Sequence, residues 1–164
     1  MRMSGGSKHL IAGVVWVALM GVAYLVMDAL RAPKIGMVRS GEEILIPRSA
    51  DGHFYIRGII NDHEVVFLVD TGATTTSIGV DAARAMQLGA GRAVTVNTAN
   101  GAASGMEYRD ATLRLGHITI RRVNLIALPA LRDRALLGQN VLQHLEVTQT
   151  SDSLRIRARK APQP

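Results

Sequence analysis

A chain of 164 residues without a cysteine has room for one domain of ordinary size and excludes disulfides and thiolate chemistry. The formal net charge of +6 would suit an anionic partner, but aromatic residues are only 4% of the chain, so a basic face interleaved with stacking rings is missing and no nucleic acid is expected as a partner. The one basic cluster, Arg155, Arg157, Arg159 and Lys160, reads as a solvated tail or one that touches anionic lipid headgroups, and Arg121-Arg122 stands apart from it.

After a tail over residues 1–9, residues 10–27 carry no charged side chain, and the run to Leu30 is long enough to cross a hydrocarbon core of roughly 30 Å as a helix. A cleaved signal peptide is the competing reading, with Arg2 and Lys8 as its basic start. The run is longer than a usual signal core, however, and no Ala-x-Ala site follows it. A buried core helix fits less well, because the segment is apolar on every face. Residues 10–30 are therefore expected to be an uncleaved transmembrane anchor. Charge hardly orients it: Arg2 and Lys8 precede the span, and Arg31, Lys34 and Arg39 follow, a near tie leaning toward a cytoplasmic domain.

Residues 31–43, with Pro33, Gly36 and several charges, read as a linker, and residues 44–159 as one domain followed by a tail over 160–164. Within the domain, Ile44–Arg48 is a first short strand. His53–Ile60 and Glu64–Val69 are strands joined by a turn at Asn61-Asp62-His63. Val80–Leu88 has the apolar stripe and propensity of a short helix, with Gly89 as its stop. Arg92–Thr98 alternates again and leads into Asn100-Gly101, a strong two-residue hairpin signal. Met106–Leu115 and His117–Leu128 follow as strands about Gly116. Pro129–Arg134 reads as a loop, Asn140–Leu145 as a second short helix and Ser153–Arg159 as a closing strand. That strand is a candidate either for pairing between subunits or for an exposed edge blunted by its basic residues. Many short strands at short intervals make the class all-β, a closed or half-closed barrel with two short helices.

The chemistry concentrates at Phe67-Leu68-Val69-Asp70-Thr71-Gly72-Ala73-Thr74. An ionisable Asp ends a buried apolar run, where a carboxylate is costly unless hydrogen bonds or a partner charge compensate. Asp followed by a hydroxyl residue and Gly is often an ordinary turn. Yet it also meets the demands of a carboxyl dyad in which one acid and one base act on a trapped water. Gly72 permits close backbone approach and the Thr71 hydroxyl can brace the loop. A second signal lies downstream at Leu136-Leu137-Gly138-Gln139-Asn140-Val141-Leu142.

From His53 to Arg157, these motifs, with Thr98-Ala99-Asn100-Gly101 between them, resemble the retropepsin-like aspartic peptidases, and more closely their bacterial, single-domain, membrane-anchored branch. The resemblance implies a retropepsin-like closed β-barrel. It makes Asp70 the catalytic residue, Thr71, Gly72 and Ala73 the active-site loop, and Thr98, Ala99, Asn100 and Gly101 the flap over the substrate. Leu136, Leu137 and Gly138 become the strand that supports the catalytic loop. With one Asp-Thr-Gly in the chain, such a site forms only at a two-fold axis, where Asp70 meets Asp70 of a second subunit. The implied protein is a homodimeric aspartic endopeptidase acting on polypeptides. It is held in a bacterial inner membrane through residues 10–30, with its catalytic domain on the periplasmic side.

No metal or cofactor is expected. The histidines at 9, 53, 63, 117 and 144 lack ligand spacing, Gly89-Ala90-Gly91 lacks the third glycine of a dinucleotide loop, and the serine of Gly101-Ala102-Ala103-Ser104-Gly105 is misplaced for a nucleophile elbow. Two rival functions stand beside the peptidase. One is a catalytically inactive retropepsin-like module that clasps an extended peptide without cutting it. The other is a bitopic protein whose anchor carries the main function by assembly.

Overall fold

The computed structural model describes residues 5–31, 33–38, 43–98 and 100–159, which fall into two units dividing after Pro33. Ala99 of the expected flap, Lys160 and the tail over 160–164, the start of the tail over 1–9 and the middle of the expected linker lie outside the described residues.

The first unit is one helix, α1 (Gly5–Arg31), of 27 residues. Trp16, Val17, Met20 and Tyr24 are among its exposed large side chains. Among the described residues, no helix is long and apolar enough to cross a membrane.

The second unit is all-β with few helices. Its strands are β1 (Ile35–Val38), β2 (Glu43–Pro47), β3 (Tyr55–Ile60), β4 (His63–Val69), β5 (Ser77–Gly79), β6 (Arg92–Thr98), β7 (Gly101–Leu115), β8 (Ile118–Leu128), β9 (Ala135–Leu137), β10 (Leu145–Gln149) and β11 (Ser153–Ala158). Two short α-helices, α2 (Val80–Ala85) and α3 (Gln139–Leu142), and a 3-10 turn at Pro129–Leu131 interrupt them. The strands join in the order β10-β11-β2-β1-β3-β4-β9-β5-β8-β7-β6. A further pairing of β7 with β3 (Ile59 opposite Arg114, Ile60 opposite Leu113) returns the ladder on itself, so β3, β4, β9, β5, β8 and β7 form a ring of pairings.

The core follows from alternation. Along β3, Ile56 and Ile60 are buried and Arg57 is exposed, and along β4 Phe67 is buried while Glu64 and Val66 face outward. Gly58 sits between Ile56 and Ile60 on the inner face, where a Cβ would meet the Leu115 and Phe67 side chains at 2.8 and 2.9 Å. Leu113, Leu115, Leu125, Ile78 and Leu137 complete the interior of the ring. Ile44, Ile46, Leu154 and Ile156 pack from β2 and β11 in register, Ile44 opposite Ile156 and Ile46 opposite Leu154.

Several local expectations change. The expected linker carries a strand, because β1 pairs parallel with β3 (Ile35 opposite Tyr55) and antiparallel with β2 (Met37 opposite Leu45). Gly36 is needed there, since a Cβ would lie 2.5 Å from the Ile46 side chain. Helix α2 stops at Ala85 rather than Leu88. Gln87 takes the left-handed position (φ 50°), and the N–H groups of Leu88 and Gln87 donate to the carbonyls of Ala83 and Arg84, the paired bonds of a Schellman stop. Gly89 was the obvious stop signal, but a glutamine does its work. The second helix runs over Gln139–Leu142 rather than Asn140–Leu145, and strand β10 takes Leu145 together with four residues that carried no assignment. Strand β11 is neither an edge nor free to pair with another subunit, for β10 and β2 hold its two sides.

Candidate active site

Asp70 follows the last residue of β4, and the backbone fixes it on both sides. Its N–H donates to the carbonyl of Leu137 at 3.1 Å, and the preceding Val69 N–H donates to Phe54 O at 2.9 Å. The chain then turns sharply. Gly72 N–H donates to Asp70 Oδ1 at 2.9 Å and Ala73 N–H to Asp70 O at 3.3 Å, an Asx-type turn that sets the direction of the carboxyl group. A Cβ on Gly72 would sit 3.2 Å from Asp70 Oδ1, so a side chain there would crowd the carboxyl oxygen. Asp70 and Ala73 are half-buried, and Thr71 and Gly72 are exposed. The loop thus presents a directed carboxyl group at an open surface.

The loop is hung on the segment that follows β9. That strand lies between β4 and β5, parallel to the first (Val69 opposite Leu137) and antiparallel to the second (Ser77 opposite Leu136). Where it ends, residues 138–140 answer the loop one group at a time. Gly138 N–H donates to Thr76 Oγ1 at 3.1 Å, Gln139 N–H to Ala73 O at 2.8 Å and Asn140 N–H to Thr74 O at 3.1 Å. The Gln139 side-chain amide donates to Thr71 O at 3.0 Å. In return, Thr76 gives its N–H and hydroxyl to Asn140 Oδ1 at 2.8 and 2.9 Å, and Asn140 Nδ2 reaches Asn124 O on β8 at 2.8 Å. Thr76 is fully buried, so these bonds are what make its two polar groups tolerable there. Of the expected supporting residues 136–138, Leu137 accepts from Asp70 N–H and Gly138 donates to Thr76 Oγ1, and the further bonds come from Gln139 and Asn140. Gln139, Asn140 and Thr76 had no assigned role; the signal for them was a hydroxyl residue followed by the buried Ser77-Ile78, and polar residues directly after Gly138.

Alternation separates the two leucines of the support. Leu137 is fully buried behind the loop, whereas Leu136 and its register partner Leu68 are half-buried on the other face. Leu68 and Leu136 thus lie side by side on the face opposite Leu137.

Thr98, Asn100 and Gly101 lie at the tip of the β6–β7 hairpin. Thr98 is paired with Gly101, Thr98 Oγ1 accepts from Asn100 N–H at 3.2 Å and donates to Gly101 O at 2.8 Å, and Gly101 adopts φ 100°. Gly101 thus opens β7 rather than sitting inside the two-residue turn. Among the described residues β6 pairs only with β7, and β7 meets β8 only from Met106 onward, so the hairpin end stands apart from their ladder. Among the described residues no hydrogen bond joins its tip to the Asp70 loop. At the hairpin base, Arg92 chiefly, and Arg109 with it, holds Glu107 below the usual carboxylate range, with guanidinium nitrogens 2.9 and 3.1 Å from its carboxylate. No group of three or more His, Asp or Glu side chains that could hold a metal ion occurs among the described residues.

The model of a family described as "gag-polyprotein putative aspartyl protease" matches residues 56–144, the span from β3 through the Asp70 loop to the end of the support. The chain belongs to the retropepsin-like aspartic peptidases. A solved structure, that of a retropepsin-like aspartic protease from Rickettsia conorii, superposes with a TM-score of 0.63 at 26% identity, covering 74% of this chain and 97% of that one. An uncharacterized protein in the cobV 5′ region of a Sinorhizobium species is 28% identical over 161 residues, 95% of this chain. The uncharacterized protein RP867 of Rickettsia prowazekii (strain Madrid E) is 50% identical over 36 residues, 22% of this chain. The chain spans 64% of the length of the Sinorhizobium protein and 16% of that of RP867. This retropepsin-like chain carries its Asp-Thr-Gly loop and its Leu-Leu-Gly support inside the matched span.

Proposed function

We propose that the chain is a membrane-anchored aspartic endopeptidase whose catalytic dyad is Asp70 from each of two subunits. The observation that carries this reading is a single, open, backbone-directed carboxyl group on a loop made rigid by residues 138–140. One such group cannot serve as both acid and base, and the exposure of Thr71 and Gly72 leaves that side of the loop available to a second copy. Two carboxyl groups held together share one proton. The ionised one takes a proton from water, the water oxygen bonds to the scissile carbonyl carbon, and the neutral one gives its proton to the carbonyl oxygen. The resulting tetrahedral diol collapses as the C–N bond breaks. The carboxyl group that took the water's proton gives it to the amine nitrogen, and the other, now ionised, takes a proton from a diol hydroxyl, which restores the shared-proton dyad. Leu68 and Leu136 supply an apolar wall for a substrate side chain. The β6–β7 hairpin closes over an extended peptide, with Thr98, Ala99, Asn100 and Gly101 at its tip.

A dimeric site makes activity depend on concentration. Casein cleavage by the purified full chain is expected to fall faster than linearly as enzyme is diluted through its dimerisation constant. Strict proportionality would contradict the two-subunit site.

The anchor reading rests on the charge-free sequence of residues 10–27 within α1 and on the exposure of its described apolar side chains. In this reading a bacterial inner membrane holds the helix and the second unit lies on the periplasmic side, as the family resemblance implies. Protease added to spheroplasts should then degrade the second unit without detergent. Protection until lysis would place it in the cytoplasm.

A further inference from the structure

We infer that the cleft between β8 and α3 is a binding site for a phosphate group. The cleft has a volume of about 260 Å³, and Arg121, Arg122, Glu107, Thr75, Asn140 and His144 are among the residues that line it. It shares Thr75 and Asn140 with the support of the Asp70 loop, but the peptidase reading assigns no role to Arg121, Arg122 or His144.

Adjacent arginines on a surface are ordinarily just solvated, but three features distinguish these. The first is backbone geometry. In a regular strand, neighbouring side chains point to opposite faces. Here Ala111 lies opposite Val123 and Leu113 opposite Ile120, so two residues of advance on β7 correspond to three on β8, and the extra residue falls at Arg121-Arg122. Arg122 takes the left-handed region at φ 57°, which disfavours a side-chain-bearing residue. A bulge of this kind re-aims side chains, and the whole bulged stretch Ile120–Asn124, both arginines included, borders the cleft.

The second feature is charge. Arg57, Arg84, Arg92, Arg109 and Arg114 each hold a carboxylate at 3.4 Å or less. Neither Arg121 nor Arg122 has such a partner among the described residues, a lack they share with Arg132 and Arg134, so it is the cleft beside them that sets the pair apart. Glu107, the carboxylate in the cleft wall, is engaged by Arg92 and Arg109. Two guanidinium groups are thus left with their forked donors free, a set that matches the oxygens of a phosphate. The third feature is composition: His144 adds an imidazole that can donate a hydrogen bond, and Thr75, Asn140 and Gln143 make the remaining wall polar. A phosphate bound here would lie against Asn140, which holds the catalytic loop through Thr76.

The test is thermal unfolding of the purified full chain in non-ionic detergent at constant ionic strength, with chloride replaced by inorganic phosphate or by glycerophosphoglycerol, the soluble headgroup of phosphatidylglycerol. A midpoint that rises by roughly 5 °C at ten-fold excess over the dissociation constant is expected with at least one probe. A response to inorganic phosphate identifies a free phosphate as ligand, and a stronger response to the diester identifies a lipid headgroup. The rise should vanish in R121Q/R122G and persist in R155Q/R157Q. Glycine suits the backbone of position 122, so the unliganded variant should unfold no earlier than wild type. No rise with either probe in the wild type, or an equal rise in R121Q/R122G, overturns the assignment.

Discussion

Replacing Asp70 by Asn is expected to lower casein cleavage by at least about 10²–10⁴-fold, the usual worth of a positioned acid–base group, while leaving the unfolding midpoint close to wild type. The two expectations have separate physical grounds. Asn keeps the shape of Asp and its Oδ1 can still accept the Gly72 N–H that sets the turn, so the loop retains its direction. A carboxamide, however, neither takes a proton from water nor gives one to a carbonyl at working pH. In a two-subunit site the single substitution removes both halves of the dyad at once. Wild-type cleavage by D70N, measured beside its urea unfolding curve, would remove Asp70 from the chemistry.

The second large effect is expected at Gly138. Its φ is −94°, which any residue adopts, so the requirement there is space. A Cβ would lie 2.6 Å from the carbonyl carbon of Thr75 and 2.7 Å from Thr76 N, both backbone atoms of the loop that carries Asp70. Alanine at 138 therefore has to push the loop away from the residues that hold it. We expect a loss of about 1–3 kcal/mol in stability from overpacking and on the order of 10²-fold in cleavage rate from misplacement of the carboxyl group. Asn140→Ala is the comparator. It leaves the Thr76 N–H and hydroxyl without their acceptor, at a cost of about 1–3 kcal/mol, but spares the bonds from Gly138 and Gln139. Its cleavage rate should fall less than that of G138A at similar stability. A G138A enzyme that cuts at the wild-type rate would show that the support does not position the loop.

What was legible in the sequence was what local pattern carries. The alternation of β3, β4 and β6 and the turn chemistry at Asn61-Asp62 (φ 44° and 73° in the structure) lie within a few consecutive residues. So does the apolar approach to Asp70. The features that escaped depend on partners far away in the chain. Strand β1 has four residues, one of them a glycine, and it is a strand because β2 and β3 accept it. Strand β10 has only Leu145 and Val147 to show an alternating face, and its pairing with β11 defines it. The β3–β7 ladder that returns the sheet on itself involves residues more than fifty positions apart, and no local window contains it. The same limit applied at the site. Asp70 and Gly138 stand out in the sequence by type and neighbours, but the tie between Thr76 and Asn140 joins two unremarkable polar residues that only the fold brings together.

The measurement that tests the two-subunit site most directly is casein cleavage by wild-type and D70N full-length chains co-expressed in known ratios, so that subunits mix at random. If each site takes Asp70 from both subunits, only wild-type pairs cut, and an equal mixture retains about one quarter of the wild-type activity per total chain. If each chain acts alone, the same mixture retains about one half, and the dyad account is wrong.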